Sequence, residues 1–261
     1  MRVGAVQFKA RATVADGLDA LVDLLVDTPP TDLLVLPEMA LHGYAFADAA
    51  AVRAVAERPQ EGTFSALSTL ARVRSTWLVA GFPERAGTVL HNAARVIRPD
   101  GTLAGVVRKH LLFEADQPWA SPGDNRTVFD TGAGRFAVGI CMDLNDDRFL
   151  AWVAEASPDV LALPTNWIQE DGGVWDYWRF RLQRGWPEGW VDPLHTVTDR
   201  APVDALLVGA NGYGVEGAYV LRGESAILDH TRVYAAADAT GDALLVVDTA
   251  PVVDPLASAR R

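Results

Sequence analysis

Asp32-Leu-Leu-Val-Leu-Pro37-Glu38 is the stretch whose reading decides the fold. Residues 33–36 form a continuous apolar run with no polar alternation, closed by a proline. A run this short, with such a boundary, reads as a strand buried on both faces, which requires a sheet covered on both sides. Asp159-Val-Leu-Ala-Leu-Pro164-Thr165 echoes it in the second half of the chain. Two similar strand ends imply two pseudo-symmetric halves packed sheet to sheet. Glu38 then stands just past a strand's carboxyl end, the place where α/β sheets bind ligands.

Strands and helices alternate outward from this stretch. Residues 2–8 are a short apolar-rich strand. Thr13, with Asp16 three residues later, places a capping box before a helix. Helical spacing assigns Leu18, Leu21, Val22, Leu25 and Val26 to its buried face. Phe64, Leu67, Leu70 and Ala71 mark a second helix, and residues 77–81 another strand. Residues 89–98 and 102–108 flank the turn Pro99-Asp-Gly101 and read as a hairpin. Further strands are expected at 136–140, 160–163, 205–208 and 244–247, with helices at 149–156 and 175–184. Residues 219–228 and 231–236 are expected to pair through Asp229-His230. No linker rich in Gly, Ser or Pro divides the chain, so residues 1–261 are expected to form a single domain, with the tail after Asp248 as a surface arm.

Composition excludes several classes of function. A hydrophobic fraction of 49% with 22% charged residues is that of a soluble globular protein. No apolar run approaches the roughly 20 residues that span a bilayer. The net charge of −11 argues against nucleic acid or an anionic membrane as partner. One cysteine and an N-terminus without a signal peptide point to a reducing cytoplasm. The histidines, His42, His91, His110, His195 and His230, have no zinc-site spacing. Gly209-Ala-Asn-Gly-Tyr-Gly214 lacks the order of a phosphate-binding loop and reads as a strand exit.

Four polar residues directly follow apolar strands: Glu38, Cys141, Asn166 and Asn211. If those strands are neighbours and roughly parallel, the four converge on one crevice, and Lys109 adds a cation from the end of the hairpin. A thiol must lose its proton before it attacks. A buried carboxylate nearby gains the pKa of a general base. A lysine stabilises the thiolate and then an oxyanion, and the Met142 N–H, next after the cysteine, supplies a second donor. The chemistry served is acyl transfer from a C–N group through a thioester.

Leu36-Pro-Glu38-Met-Ala-Leu-His-Gly43-Tyr44, Arg108-Lys109 and Gly139-Ile-Cys141-Met-Asp143 resemble the motifs of the nitrilase (carbon–nitrogen hydrolase) superfamily. Pro122-Gly123-Asp124, Asn166-Trp167 and Gly223-Glu-Ser225 fall where that family has similar segments, so the resemblance covers nearly the whole chain in order. It implies an αββα sandwich, a four-layer α/β fold of the nitrilase type. It also implies a Glu38–Lys109–Cys141 triad, no metal or cofactor, and a homodimer or higher homo-oligomer. Cys141-Met-Asp-Leu-Asn145 and Leu112-Phe-Glu-Ala-Asp116-Gln-Pro-Trp119-Ala120 resemble, locally, the N-terminal asparagine amidohydrolases, which remove the side-chain amide of an N-terminal Asn or Gln. The substrate so implied is a small-molecule amide or a peptide N-terminus.

The family often carries a second glutamate seven residues before the Pro-Gly glycine. That position is Asp116 here, and Glu114 is the other candidate. Asp143 is suited to meet a substrate ammonium or to hold its loop through backbone N–H groups. Asn166 and Trp167 are candidate pocket residues. Trp167, Trp175, Trp178, Trp186 and Trp190 crowd one segment, as core packing and as an aromatic wall. A different substrate, such as an ω-amide or an N-carbamoyl compound, would call for an arginine, with Arg148, Arg179 and Arg181 as candidates. A non-catalytic, nitrilase-like scaffold is the alternative from another class.

Overall fold

The structure is a computed structural model that describes residues 1–168, 173–185 and 201–249. The chain begins with β1 (Arg2–Gln7), α1 (Val14–Leu25), β2 (Leu33–Val35), α2 (Ala49–Val55), α3 (Phe64–Arg74) and β3 (Trp77–Ala86). The hairpin strands β4 (Val89–Ile97) and β5 (Leu103–Arg108) follow. The second half contributes β6 (Val128–Asp130), β7 (Arg135–Val138), α4 (Asp147–Ala156), β8 (Val160–Thr165), α5 (Val174–Leu182) and β9 (Leu206–Asn211). Five short strands close the described chain: β10 (Tyr213–Glu216), β11 (Tyr219–Arg222), β12 (Ala226–Leu228), β13 (Val233–Ala236) and β14 (Ala243–Asp248).

Two six-stranded sheets result, ordered β14-β1-β2-β3-β4-β5 and β6-β7-β8-β9-β12-β13, with β10 and β11 as a separate hairpin. Read in those orders, both sheets run antiparallel, parallel, parallel, antiparallel, antiparallel. The echoed strands β2 and β8 hold the same position in each. The shared aspartate has a shared job. Asp32 accepts the Arg2 N–H at 2.6 Å while its own backbone bonds Arg2 O and Trp77 N. Asp159 accepts the Arg135 N–H at 2.7 Å while its backbone bonds Arg135 O and Leu206 N. Each staples the start of its strand to both neighbours.

Val3, Leu33, Val79 and Val96 of the first sheet pack against Phe136, Leu161, Val208 and Ile227 of the second in one dry cluster. On the first sheet's other face, Leu34, Leu36 and Leu78 meet Leu21 and Leu25 of α1 and Leu67 and Ala71 of α3. Helices α4 and α5 bring Phe149, Leu150, Val153 and Trp178 onto the second sheet. This is the αββα sandwich of the nitrilase type. Each fully buried Leu or Phe contributes about 1.5–3 kcal/mol. Among the described helices, none is long and apolar enough to cross a membrane.

Thr13 caps α1 by accepting the Asp16 N–H at 3.1 Å, as its spacing predicts. The buried face is narrower than the apolar pattern. Val22 and Val26 are 51% and 67% exposed, because they lie one residue around the helix from the Leu21–Leu25 row that touches the sheet. The expected strand 219–228 is broken. Its first part pairs with β10 and its last with β13, and Gly223 and Glu224 between them have positive φ. Helix α2, capped by Asp48, and strand β6 carry too little periodicity to be read from sequence. The tail after Asp248 lies almost wholly outside the described residues.

Removing either staple should matter about equally. Asp32→Ala and Asp159→Ala should each lose about 1 kcal/mol in equilibrium denaturation, the size of a hydrogen bond at an exposed strand end.

Candidate active site

The first sheet delivers Glu38 just past β2 and Lys109 just past β5. The second delivers Cys141 past β7, Asn166 past β8 and Asn211 at the end of β9. The crevice expected between neighbouring parallel strands therefore spans the sandwich, with the carboxylate and the cation on one side and the thiol on the other. Close backbone contact makes this possible. A Cβ at Gly81 would stand 2.6 Å from Pro37 O and Glu38 Cα, so only glycine lets β3 pass beneath the Glu38 turn. A Cβ at Gly123 would stand 2.5 Å from Arg108 O, while the Gly123 N–H bonds Lys109 O at 2.8 Å. The Pro122-Gly123-Asp124 segment thus clamps the strand end that carries Lys109.

Lys109 is fully buried, and its ammonium bonds Glu38 Oε1 at 2.8 Å and Asp116 Oδ2 at 2.6 Å. Asn92, from β4, bridges the same two carboxylates, donating to Glu38 Oε1 at 2.6 Å and Asp116 Oδ1 at 3.0 Å. Glu38 Oε2 accepts the Asn166 N–H at 3.0 Å, and the Asn166 side-chain amide bonds Glu38 O at 2.8 Å. Asp116 also accepts the Phe113 N–H. Of the two candidates, Asp116 is the carboxylate that meets Lys109, its shorter reach met by the turn at 113–120. Glu114 is exposed.

Burial is the largest influence on Glu38 and raises its pKa, with the Lys109 charge opposing. Burial alone would depress Lys109, but the surrounding anions, led by Glu38, hold its pKa well above the usual lysine value. Two carboxylates share one ammonium here, and the Asp116 charge adds to burial in raising Glu38.

Cys141 opens a 3₁₀ turn, Cys141–Asn145, with φ +48°, a strained conformation for a residue with a side chain. Asp143 holds this turn. It is fully buried and accepts N–H bonds from His110 and Leu111 on one oxygen, at 2.8 and 2.9 Å, and from Ile140 on the other at 2.9 Å. Of the two roles open to Asp143, these three bonds are those of the loop-holding one. It also ties the Cys141 turn to the segment beyond Lys109. The Met142 N–H lies in the first turn of the 3₁₀ helix, where N–H groups have no acceptor within the helix. Burial pushes the thiol up to about 12, with Glu38 adding to the rise and Lys109 opposing it. The resting sulfur is a neutral thiol.

Asn166 is turned onto Glu38 and does not stand free in the pocket. Trp167 is buried, donates its backbone N–H to Asn211 Oδ1 at 2.8 Å and packs against Tyr177 and Trp178. Trp175 bonds Glu224 O through its indole N–H. Trp186 and Trp190 lie outside the described residues. Arg181 is buried behind the Cys141 turn, bonding Leu144 O and Asn145 O. Arg148 and Arg179 are surface residues paired with Asp146 and Asp176. His110 bonds Asn125 O and lies against Phe149, a packed loop histidine. Sequence reasoning passed over Asn92, whose signal is a lone amide inside an apolar strand, and Tyr44, a motif residue left without a role. Among the described residues, no cluster of His, Cys, Asp and Glu could hold a metal ion.

The sequence profile of the carbon–nitrogen hydrolases matches residues 2–185. The chain belongs to the carbon–nitrogen hydrolase family. It is 36% identical over 138 residues to a nitrilase of Pyrococcus abyssi, covering 52% of this chain and 52% of that one. It is 25% identical over 236 residues to a protein N-terminal amidase of Schizosaccharomyces pombe, covering 76% of this chain and 78% of that one. The chain thus spans about half the length of the first curated relatives it matches. Among solved structures, an N-terminal amidase in complex with an Asn-Glu peptide superposes with a TM-score of 0.78 at 13% identity, covering 94% of this chain and 96% of that one. The likeness extends to the fold.

Two substitutions separate the acids. Asp116→Asn should destabilise the chain by about 3 kcal/mol in denaturant unfolding, because it breaks a buried ion pair. Glu114→Gln should leave the unfolding curve unchanged. The state of the thiol is also open to measurement. The ultraviolet difference between wild type and Cys141→Ser should show no thiolate band through neutral pH. A band that titrates near neutrality would contradict a buried, protonated sulfur.

Proposed function

We propose that this family member is a cysteine-dependent amidase that hydrolyses a carboxamide C–N bond and releases ammonia. The observation that carries this reading is the buried Lys109 ammonium held at 2.8 and 2.6 Å by Glu38 and Asp116 across the crevice from Cys141. A buried ionic cluster is costly to assemble, and a scaffold protein gains nothing from it.

Glu38, its pKa raised by burial, takes the proton of Cys141 as the sulfur attacks the carboxamide carbon. Because the resting sulfur is a thiol, proton transfer and attack occur together. The S–C bond forms, and the carbonyl oxygen becomes an oxyanion held by Lys109 and the Met142 N–H. Collapse of this intermediate breaks the C–N bond. Glu38 returns its proton to the nitrogen, ammonia leaves, and a thioester remains. Water, deprotonated by Glu38, attacks the thioester and frees the acid and the thiol. Asp116 keeps Lys109 charged and in place, and Asn92 and Asn166 aim Glu38.

For the substrate, the reading is the side-chain amide of an N-terminal Asn or Gln. It draws support from the similarity to a protein N-terminal amidase along three quarters of the chain, 76%. A small ω-amide acid would need a cation for its carboxylate, and Arg148, Arg179 and Arg181 are all engaged elsewhere.

Cys141→Ala and Glu38→Gln should each lower ammonia release by about a thousandfold or more while melting as folded proteins. Wild-type turnover in either would remove that residue from the mechanism. Wild-type activity should fall as the medium is acidified through the raised pKa of Glu38, because the base is then protonated before substrate arrives. Release from peptides with N-terminal Asn or Gln, and not from their N-acetylated forms, is the expected substrate pattern. Release from free ω-amides alone would discard the peptide reading and keep the mechanism.

A further inference from the structure

Tyr44 has a buried hydroxyl that nothing in the mechanism uses. The residue is 4% exposed, and its hydroxyl has no hydrogen-bond partner among the described residues. Buried tyrosine hydroxyls are nearly always bonded, so an orphan marks a place where a partner arrives later. The charges that act on it are those of Lys109, Glu38, Asp116 and Cys141, which are the groups of the catalytic cluster.

The ring is fixed in advance. It packs edge-on against Tyr219 at 6.0 Å between centroids, and Tyr219 in turn meets Phe113 at 6.1 Å. The Tyr44 backbone N–H bonds the Glu216 carboxylate at 2.5 Å, which ties its loop to the β10–β11 hairpin. Burial keeps the phenol protonated, so it is a donor in search of an acceptor. The nearby carboxylates are already occupied. Glu38 Oε1 takes Lys109 and Asn92, and Oε2 takes the Asn166 N–H. Asp116 Oδ1 takes Asn92, and Oδ2 takes Lys109 and the Phe113 N–H. The thiol is a weak acceptor. None of these groups, nor the equally unpartnered Asn92 Oδ1, meets the Tyr44 hydroxyl, so its acceptor is an oxygen that arrives with the substrate.

We infer that the Tyr44 hydroxyl donates a hydrogen bond to the substrate's carboxamide oxygen, and a stronger one to the oxyanion that forms there. Tyr44 is then a catalytic residue and a third oxyanion donor beside Lys109 and the Met142 N–H. The inference rests on the amidase reading above.

The test compares wild type with Tyr44→Phe in the full chain, which keeps the ring and removes only the hydroxyl. Three quantities are read: kcat/KM on the best amide of the panel, the rate of Cys141 alkylation by iodoacetamide, and the melting temperature. Alkylation displaces iodide at a saturated carbon and forms no oxyanion, so it reports on the thiol alone. The expected result is a fall of about a hundredfold in kcat/KM. Alkylation should be unchanged, and the melting temperature equal or higher, since an unbonded buried hydroxyl has been removed. Unchanged kcat/KM overturns the inference. So does a matching fall in alkylation or a lower melting temperature, either of which makes the hydroxyl structural. A wild-type chain that releases no ammonia from any amide sinks the amidase reading and the inference with it. That failure is seen in wild type, and failure of the inference alone is seen only in the variant.

Discussion

One ammonium sealed between two β-sheets sets the terms for everything around it. Lys109 has no contact with solvent, so its charge must be matched and its donors met within the protein. Glu38 and Asp116 supply the anions, and Asn92 bridges them with a single amide nitrogen. Each carboxylate oxygen accepts at least one bond. Asn166 of the second sheet then closes on Glu38, and this couples the cluster to the docking of the two sheets.

The two sheets share a plan but differ at their centres. β2 and β8 hold the same position, begin with the same aspartate staple and end in the same Leu-Pro. After the proline one strand offers Glu38 and the other Thr165. Thr165 and the Asn166 backbone lie beside the Cys141 sulfur and favour its anion, while Glu38 raises its pKa. A common scaffold thus presents the Glu38 carboxylate from one side and the surroundings of the Cys141 thiol from the other. Burial raises both the carboxyl and the thiol, so the sulfur keeps its proton at rest and passes it to the Glu38 carboxylate only when a substrate oxygen can receive the charge.

Much of this was legible before any coordinates. Strand alternation, the hairpin at Pro99-Asp-Gly101 and the Thr13 cap are local signals, decided by residues within a few positions of one another. Glu38, Lys109 and Cys141 stood out as candidates because each follows closely on a strand. The broken strand at Gly223-Glu224 was not, since its apolar pattern continues and the break answers to packing against the Ala239 backbone. Val22 and Val26 misled for a related reason. Periodicity gives the phase of a helix, and only the neighbouring sheet gives the width of its contact. Asn92 and Tyr44 carry little signal because the groups around them come from distant parts of the chain.

The sequence by itself determined the class of fold, the order of the strands along the chain and the residue types at their ends. Those follow from burial periodicity and turn chemistry, which act over short separations. Tertiary structure alone decided that Asp116 and not Glu114 meets Lys109, that Asp143 spends its carboxylate on three backbone N–H groups, and that Asn166 serves Glu38. It also left Tyr44 with a hydroxyl and no acceptor. Hydrogen bonds are directional and short, so which polar groups meet depends on ångström-scale placement of distant segments, and a sequence pattern does not encode that.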